Sequence, residues 1–110
     1  MDSLKSDWNL FNKYLPTWRE KYLEQVNQHI IEIFTNDTLS NTEKFWKVKK
    51  IMDDKEKILT DCFDNYSRSN MFIHIMMMCN DKVITKEDLS EFSSNITDQI
   101  NKIEEIKTVK

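Results

Sequence analysis

Residues 71–79 read MFIHIMMMC, a run in which His74 is the one polar side chain. A helical segment that is apolar on every side is typical of an element buried nearly all round. We therefore expect a helix over residues 70–80 at the centre of a hydrophobic core. A histidine in such a run is usually held by a carbonyl or carboxylate, so we interpret His74 as a core residue rather than a pH-sensitive switch.

Apolar residues at helical spacing flank this run on both sides. With it they predict an all-α protein, a compact bundle of four to five helices without a sheet, which forms one domain over residues 1–110. The predicted helices cover residues 3–14, 17–35, 41–66, 70–80 and 86–106. The chain has no glycine and a single proline. This composition disfavours β-hairpins and glycine-rich phosphate loops and favours long helices.

Two capping boxes and the proline predict the boundaries in the first half of the chain. Pro16 is expected to end or kink the first helix. Thr17 with Glu20, and Ser40 with Glu43, have the spacing of capping boxes and predict that new helices begin there.

Two further boundaries are predicted in the second half. The segment SRSN at residues 67–70 is expected to break the third helix, although none of its residues forbids a continuous one. Thr85 as N-cap, Asp88 at the third helical position and Ile84 placed to pack on Leu89 predict that the last helix starts at residue 86.

The third helix contains EKFWKVKK at residues 43–50, where four lysines surround Phe45 and Trp46. Single-stranded nucleic acid stacks on exposed aromatics of this kind. We interpret the segment instead as a solvated face whose aromatics lie in the core, because both adjoin a heptad-like apolar seam. The seam consists of Phe45, Val48, Met52, Leu59, Cys62 and Tyr66, and Lys55 occupies the one position of the repeat that is not apolar.

The charge and the opening of the chain exclude several classes of partner. Sixteen basic and nineteen acidic side chains give a net charge of −3, which predicts no nucleic-acid partner. No stretch approaches the roughly 20 apolar residues of a membrane span, so no membrane partner is expected. The opening MDSLKSDWNLF lacks the pattern of a secretory signal, and we expect a cytoplasmic protein.

No constellation of catalytic or metal-binding residues stands out. His29 and His74 are far apart in sequence, and no CxxC, HxxxH or Glu-x-x-His motif occurs. Cys62 and Cys79 are interpreted as buried structural cysteines of a reducing compartment. We predict no catalytic residue, no metal and no cofactor, and no enzymatic activity.

The leading hypothesis is a small protein-binding module, such as an inhibitor, an immunity, anti-defence or regulatory protein, that acts by occupying a partner protein. Surplus aromatic side chains favour it, and Trp8 and Trp46 are the predicted interface anchors. The alternative is a self-associating structural module, a homodimer whose apolar seams are completed by a second copy. The third hypothesis is an enzyme of unrecognised type, which a cluster around His29, Asp61 or Asp64 would support.

Overall fold

The computed structural model describes the backbone of residues 3–108 and the side chains of residues 4–105. Within this range the chain forms four α-helices and one 3₁₀ turn, and no strand occurs. The elements are α1 (Ser3–Phe34), α2 (Asn41–Phe63), α3 (Met71–Asn80), a 3₁₀ turn (Glu87–Leu89) and α4 (Ser94–Thr108). The predicted all-α fold class is confirmed.

The first helix, α1, runs unbroken through Pro16. The sequence predicted two helices here, over residues 3–14 and 17–35, with a capping box from Thr17 to Glu20. Both predictions are wrong, because Thr17 lies inside a single 32-residue helix.

The position of Pro16 on the helix surface explains how α1 tolerates it. A proline inside a helix removes one hydrogen bond, here the bond that residue 16 would donate to the carbonyl of Asn12. Both residues are exposed, so water can satisfy that carbonyl. Leu15 and Trp18 lie on the opposite side of the helix, where both are buried. The burial of that side holds α1 together across the proline.

The capping box at the start of α2 is confirmed. The Glu43 backbone N–H donates to Ser40 Oγ at 3.1 Å, and the Ser40 N–H donates to Glu43 Oε1 at 3.1 Å. The bond donated by the Ser40 N–H, followed by a hydrogen bond from the Ser40 side chain, lowers the pKa of the Glu43 carboxyl. The start of the helix at residue 41 is therefore fixed by two adjacent side chains, as the sequence predicted.

The end of α2 lies at Phe63, three residues earlier than predicted, and the predicted break around residues 67–70 is confirmed. Asn65 has a left-handed backbone with φ of 57°, which asparagine tolerates better than most residues. The Asn70 side chain then closes the loop, because it accepts from the Ser67 N–H and donates to the Asn65 carbonyl.

The apolar run at residues 71–79 forms α3 as predicted, but it is not buried all round. Met71, His74, Ile75 and Met78 form its buried face. Ile73 on the opposite face is 52% exposed. The prediction of a fully buried helix is therefore wrong for the outer face of α3.

The helix predicted over residues 86–106 begins eight residues later, at Ser94. One bond of the predicted pattern forms, since the Thr85 N–H donates to Asp88 Oδ2 at 2.8 Å. The Thr85 hydroxyl donates to the same carboxylate, and Lys86, not Thr85, is the N-cap of the 3₁₀ turn Glu87–Leu89 that follows. The predicted α-helical start at residue 86 is wrong.

A contact with α1 explains the later start. In a continuous helix the Ser93 N–H would bind the carbonyl of Leu89. Here it donates to Asp7 Oδ1 at 2.8 Å, and the Ser93 hydroxyl donates to Asp7 Oδ2 at 2.5 Å. The Ser93 carbonyl then accepts from the N–H groups of Ile96 and Thr97, which opens α4. A residue 86 positions away thus determines where the last helix begins.

The first half of α1 packs against the C-terminal part of the chain. The contacts that join them are the Asp7–Ser93 bonds, a hydrogen bond from the Tyr14 hydroxyl to Glu91, and a stack of Trp18 on Phe92 with ring centroids 6.1 Å apart. We call this part of the molecule, residues 3–22 and 60–105, the base.

The second half of α1 and most of α2 form an antiparallel hairpin, residues 23–34 and 41–59, which we call the arm. The described chain measures 58 × 33 × 21 Å, so it is elongated. Of its eight exposed large apolar side chains, five lie on the arm: Ile31, Phe34, Phe45, Trp46 and Met52. The arm therefore carries most of the exposed large apolar side chains.

Candidate interaction surface

The most exposed aromatic pair lies in the first turns of α2. Phe45 is 58% exposed and Trp46 is 59% exposed. Their rings meet edge to face, with centroids 5.1 Å apart and an interplanar angle of 89°. The prediction that these two aromatics lie in the core is wrong.

Two apolar stripes on α2 account for this error. One stripe packs on the core through buried Val48 and Cys62 and half-buried Ile51 and Ile58. The second stripe consists of Phe45, Met52 and Leu59, spaced seven residues apart, and its first two members are more than half exposed. The predicted seam mixed residues of both stripes, which periodicity alone does not separate.

The lysines around Phe45 and Trp46 are partly neutralised by acids one turn further along α2. Lys49 Nζ lies 2.7 Å from Asp53 Oδ2, and Lys50 Nζ lies 3.1 Å from Asp54 Oδ2. The hydrogen bond to Asp53 raises the pKa of Lys49. Because these ion pairs are exposed, they contribute little to stability, but they reduce the positive potential of the segment.

Trp8, the other predicted anchor, is half-buried in the base. Its ring stacks on Phe11 with centroids 5.9 Å apart, and the ring of Tyr66 lies 6.1 Å away. The Arg68 guanidinium lies 6.0 Å from the Trp8 ring centroid, within cation–π range. The structure thus places Trp8 in the base and Trp46 on the arm, and does not join them into one surface.

A groove of about 400 Å³ runs along the arm between α1 and α2 and reaches the base. Leu23, Val26 and Ile30 of α1 form one wall, and Met52 and Leu59 of α2 belong to the other. This groove was not predicted from the sequence. The sequence pattern that marks this groove is the second α2 stripe, whose residues were predicted to lie in the core.

The one buried histidine and the buried cysteine are neighbours but do not form a catalytic pair. His74 Nδ1 lies 2.8 Å from the backbone carbonyl oxygen of Cys62, not from its thiol. This confirms His74 as a core residue bound to a carbonyl. Burial, with a smaller effect from Asp81 and Asp61, raises the pKa of the Cys62 thiol to about 12. The thiol is therefore protonated near neutral pH and is a poor nucleophile.

The residues of the enzymatic hypothesis, His29, Asp61 and Asp64, are exposed, and His29 and Asp64 lie in different depressions. Asp64 borders the groove, whereas His29 borders a separate polar depression and lies 3.8 Å from Glu32. Among the described residues, no group of three or more His, Cys, Asp or Glu side chains is arranged to hold a metal ion.

Comparison of the chain with known protein families, with curated proteins and with solved structures gave no match. None of the described helices combines the length and the apolar character needed to cross a membrane.

Proposed function

We propose that this protein is a non-catalytic binding module that acts by occupying a partner protein through Trp46, with Phe45 packed beside it. The observation that carries the proposal is the exposure of these two adjacent aromatic rings, 58% and 59%, on a capped helix. Inhibition or regulation of the occupied partner is the activity we assign to it.

The geometry of the pair suits an interface anchor. Tryptophan is enriched among the few residues that dominate binding energy at protein interfaces. The edge-to-face contact with Phe45 restricts the Trp46 ring, and the capping box at Ser40 fixes the helix start that carries it. A preorganised aromatic loses less conformational entropy on binding than a mobile one, so more of its burial energy appears as affinity.

The charges around the pair define the partner further. Lys47 directly follows Trp46 in α2, whereas the ion pairs with Asp53 and Asp54 are made by Lys49 and Lys50. We propose that the partner offers an apolar pocket for Trp46 with acidic residues at its rim, since complementary rim charges accelerate association. Nucleic acid is the less favoured ligand, because Lys49 and Lys50 are already paired with Asp53 and Asp54.

The proposal includes a cytoplasmic location. Its support is Cys62, a buried thiol that forms no disulfide. Unpaired thiols are typical of proteins of reducing compartments.

The test is affinity capture of the tagged protein from a lysate of its own host, with Trp46→Ala beside the wild type. Ile73→Ala is the matched control, because Ile73 is an apolar residue of similar exposure, 52%, on the base. We expect a stoichiometric protein partner that Trp46→Ala loses and Ile73→Ala retains. Circular dichroism checks that both variants fold.

Two outcomes would contradict the proposal. Retention of the partner by Trp46→Ala would show that the exposed tryptophan is not an anchor. Loss of the captured material after nuclease treatment would identify nucleic acid, not protein, as the ligand. Trp8→Ala, in a parallel capture, tests the second predicted anchor, with its fold monitored because Trp8 packs on Phe11.

A further inference from the structure

We infer that α2 pairs antiparallel with α2 of a second copy of this chain, forming a two-fold symmetric dimer. The contact runs along Phe45, Met52 and Leu59, which we call the α2 seam. This dimer goes beyond the proposed partner binding and does not depend on it.

The spacing of the α2 seam suits a helix–helix contact. Residues seven apart lie on nearly the same line of a helix, as in the repeat of coiled coils. Phe45 and Met52 are 58% and 53% exposed, and Leu59 is half-buried. From Phe45 to Leu59 the α2 seam is about 21 Å long, from the rise of 1.5 Å per residue. One chain leaves this line largely uncovered.

The α2 seam is also symmetric about its own centre. Met52 is the middle residue of α2, which spans Asn41–Phe63. Phe45 and Leu59 lie equally far before and after it. In an antiparallel pair with its two-fold axis at Met52, each Phe45 therefore packs beside Leu59 of the second copy. Such an isologous contact uses the same surface on both chains.

The charges of α2 identify the occupant as a second copy. Residues 43–50 carry four lysines and one glutamate, a net charge of +3. Residues 53–64 carry two lysines and five acids, a net charge of −3. Antiparallel pairing places the basic half of each helix beside the acidic half of the other. Parallel pairing would place like charges together, so the charge pattern selects the antiparallel arrangement.

One flank of the α2 seam defines a specific ion pair. Lys49 and Glu56 are seven residues apart and lie on the same side of the seam, before and after Met52. In the antiparallel dimer Lys49 of one copy faces Glu56 of the other, and the symmetry produces this pair twice. Within one chain Lys49 instead binds Asp53, at 2.7 Å.

The groove beside the α2 seam enlarges the contact. Met52 and Leu59 line it together with Leu23 and Ile30 of α1. Side chains of a second α2 laid along the seam reach this apolar wall, so α1 contributes buried area to the dimer. Trp46 lies six residues from Met52, about 120° around the helix, and stays outside the contact. The dimer therefore covers Phe45 and leaves Trp46 accessible to a partner.

Sedimentation equilibrium of the full chain over a range of concentrations tests the dimer. We expect a reversible dimer for the wild type and for Trp46→Ala. Met52→Glu should be monomeric, since it places two carboxylates beside the two-fold axis. Ile73→Glu, a change of an equally exposed residue on the base, should remain dimeric. A wild type that stays monomeric up to about 1 mM would overturn the inference.

Variants that exchange the charges of Lys49 and Glu56 distinguish a second copy of the chain from any other occupant of the α2 seam. Lys49→Glu and Glu56→Lys should each raise the dimer dissociation constant by roughly tenfold or more, because each replaces two attractive pairs by two repulsive ones. The double variant should restore the wild-type dissociation constant, and so should a mixture of the two single variants. Circular dichroism confirms that each variant folds. If neither the double variant nor the mixture restores association, the antiparallel pairing is wrong.

Discussion

The Asp7 carboxylate accepts two hydrogen bonds from Ser93, one from its backbone N–H and one from its hydroxyl. Asp7 is 2% exposed, although it lies in the second turn of α1 and carries an acid. The bonds connect the start of the first helix with the start of the last one. A buried acid is tolerated where its oxygens are satisfied in this way. The contact therefore fixes both the boundary of α4 and its position on α1.

Asp7→Ala should destabilise the protein by about 2 kcal/mol, because it removes two charge-assisted hydrogen bonds and leaves the Ser93 donors without their acceptor. Asp7→Asn keeps one acceptor oxygen and should cost less. Urea unfolding measures both changes. Asp98→Ala, the same truncation at an exposed position of α4, should change the unfolding free energy by less than about 0.5 kcal/mol. Equal losses for Asp7→Ala and Asp98→Ala would contradict the role of the Asp7–Ser93 contact.

Pro16→Ala should stabilise the protein by roughly 1 to 3 kcal/mol, because it restores a helical N–H and replaces the least favourable helix residue by the most favourable. The gain stays below the full propensity difference, since proline also restricts the unfolded chain. A second variant, Thr17→Ala, tests whether Thr17 lies inside a helix or caps one. If α1 is continuous, this change is neutral or slightly stabilising, whereas an N-cap threonine would cost about 1 kcal/mol. Urea midpoints that fall for both variants would indicate two helices separated at Pro16.

The all-α class and most helix positions were predictable because they depend on local information. Helical periodicity and the absence of glycine indicated the helices, and the Ser40–Glu43 box set the start of α2 through neighbours in sequence. The start of α4 was not predictable in this way. The residue that determines it, Asp7, is 86 positions from Ser93, and no local sequence pattern indicates that contact.

The candidate site was predicted only in part, for a similar reason. Trp46 was chosen from the sequence as an anchor, and the structure shows it exposed, although its binding role stays a prediction. Phe45 and Trp46 were also predicted from the sequence to lie in the core, which the structure contradicts. Periodicity shows that α2 is apolar on a wide arc, but the arrangement of α1 decides which part of the arc is covered. Pro16 illustrates the same limit, since its tolerance depends on which side of α1 is buried.

The free energy of unfolding should fall as pH rises above about 9, in part because of Cys62. Burial raises the pKa of this thiol in the folded protein from 9.0 to about 12, with Asp81 and Asp61 adding to the effect. Between these two values the unfolded chain loses a proton that the folded chain keeps, so rising pH favours unfolding. Below pH of about 9 both states keep the proton, and the contribution of Cys62 to stability is fully present.

Comparison of the wild type with Cys62→Ala isolates this effect, because the tyrosines and lysines that also titrate at alkaline pH are common to both proteins. Urea unfolding is measured at pH of about 8.5 and about 10.5. The truncation leaves a small cavity and lowers stability at both pH values. The wild type should nevertheless lose more stability than Cys62→Ala between the two pH values. The difference in the free energy of unfolding between the two proteins should therefore be smaller at the higher pH. Parallel losses would mean that the Cys62 thiol titrates alike in the folded and unfolded chain, and that its burial does not hold the proton.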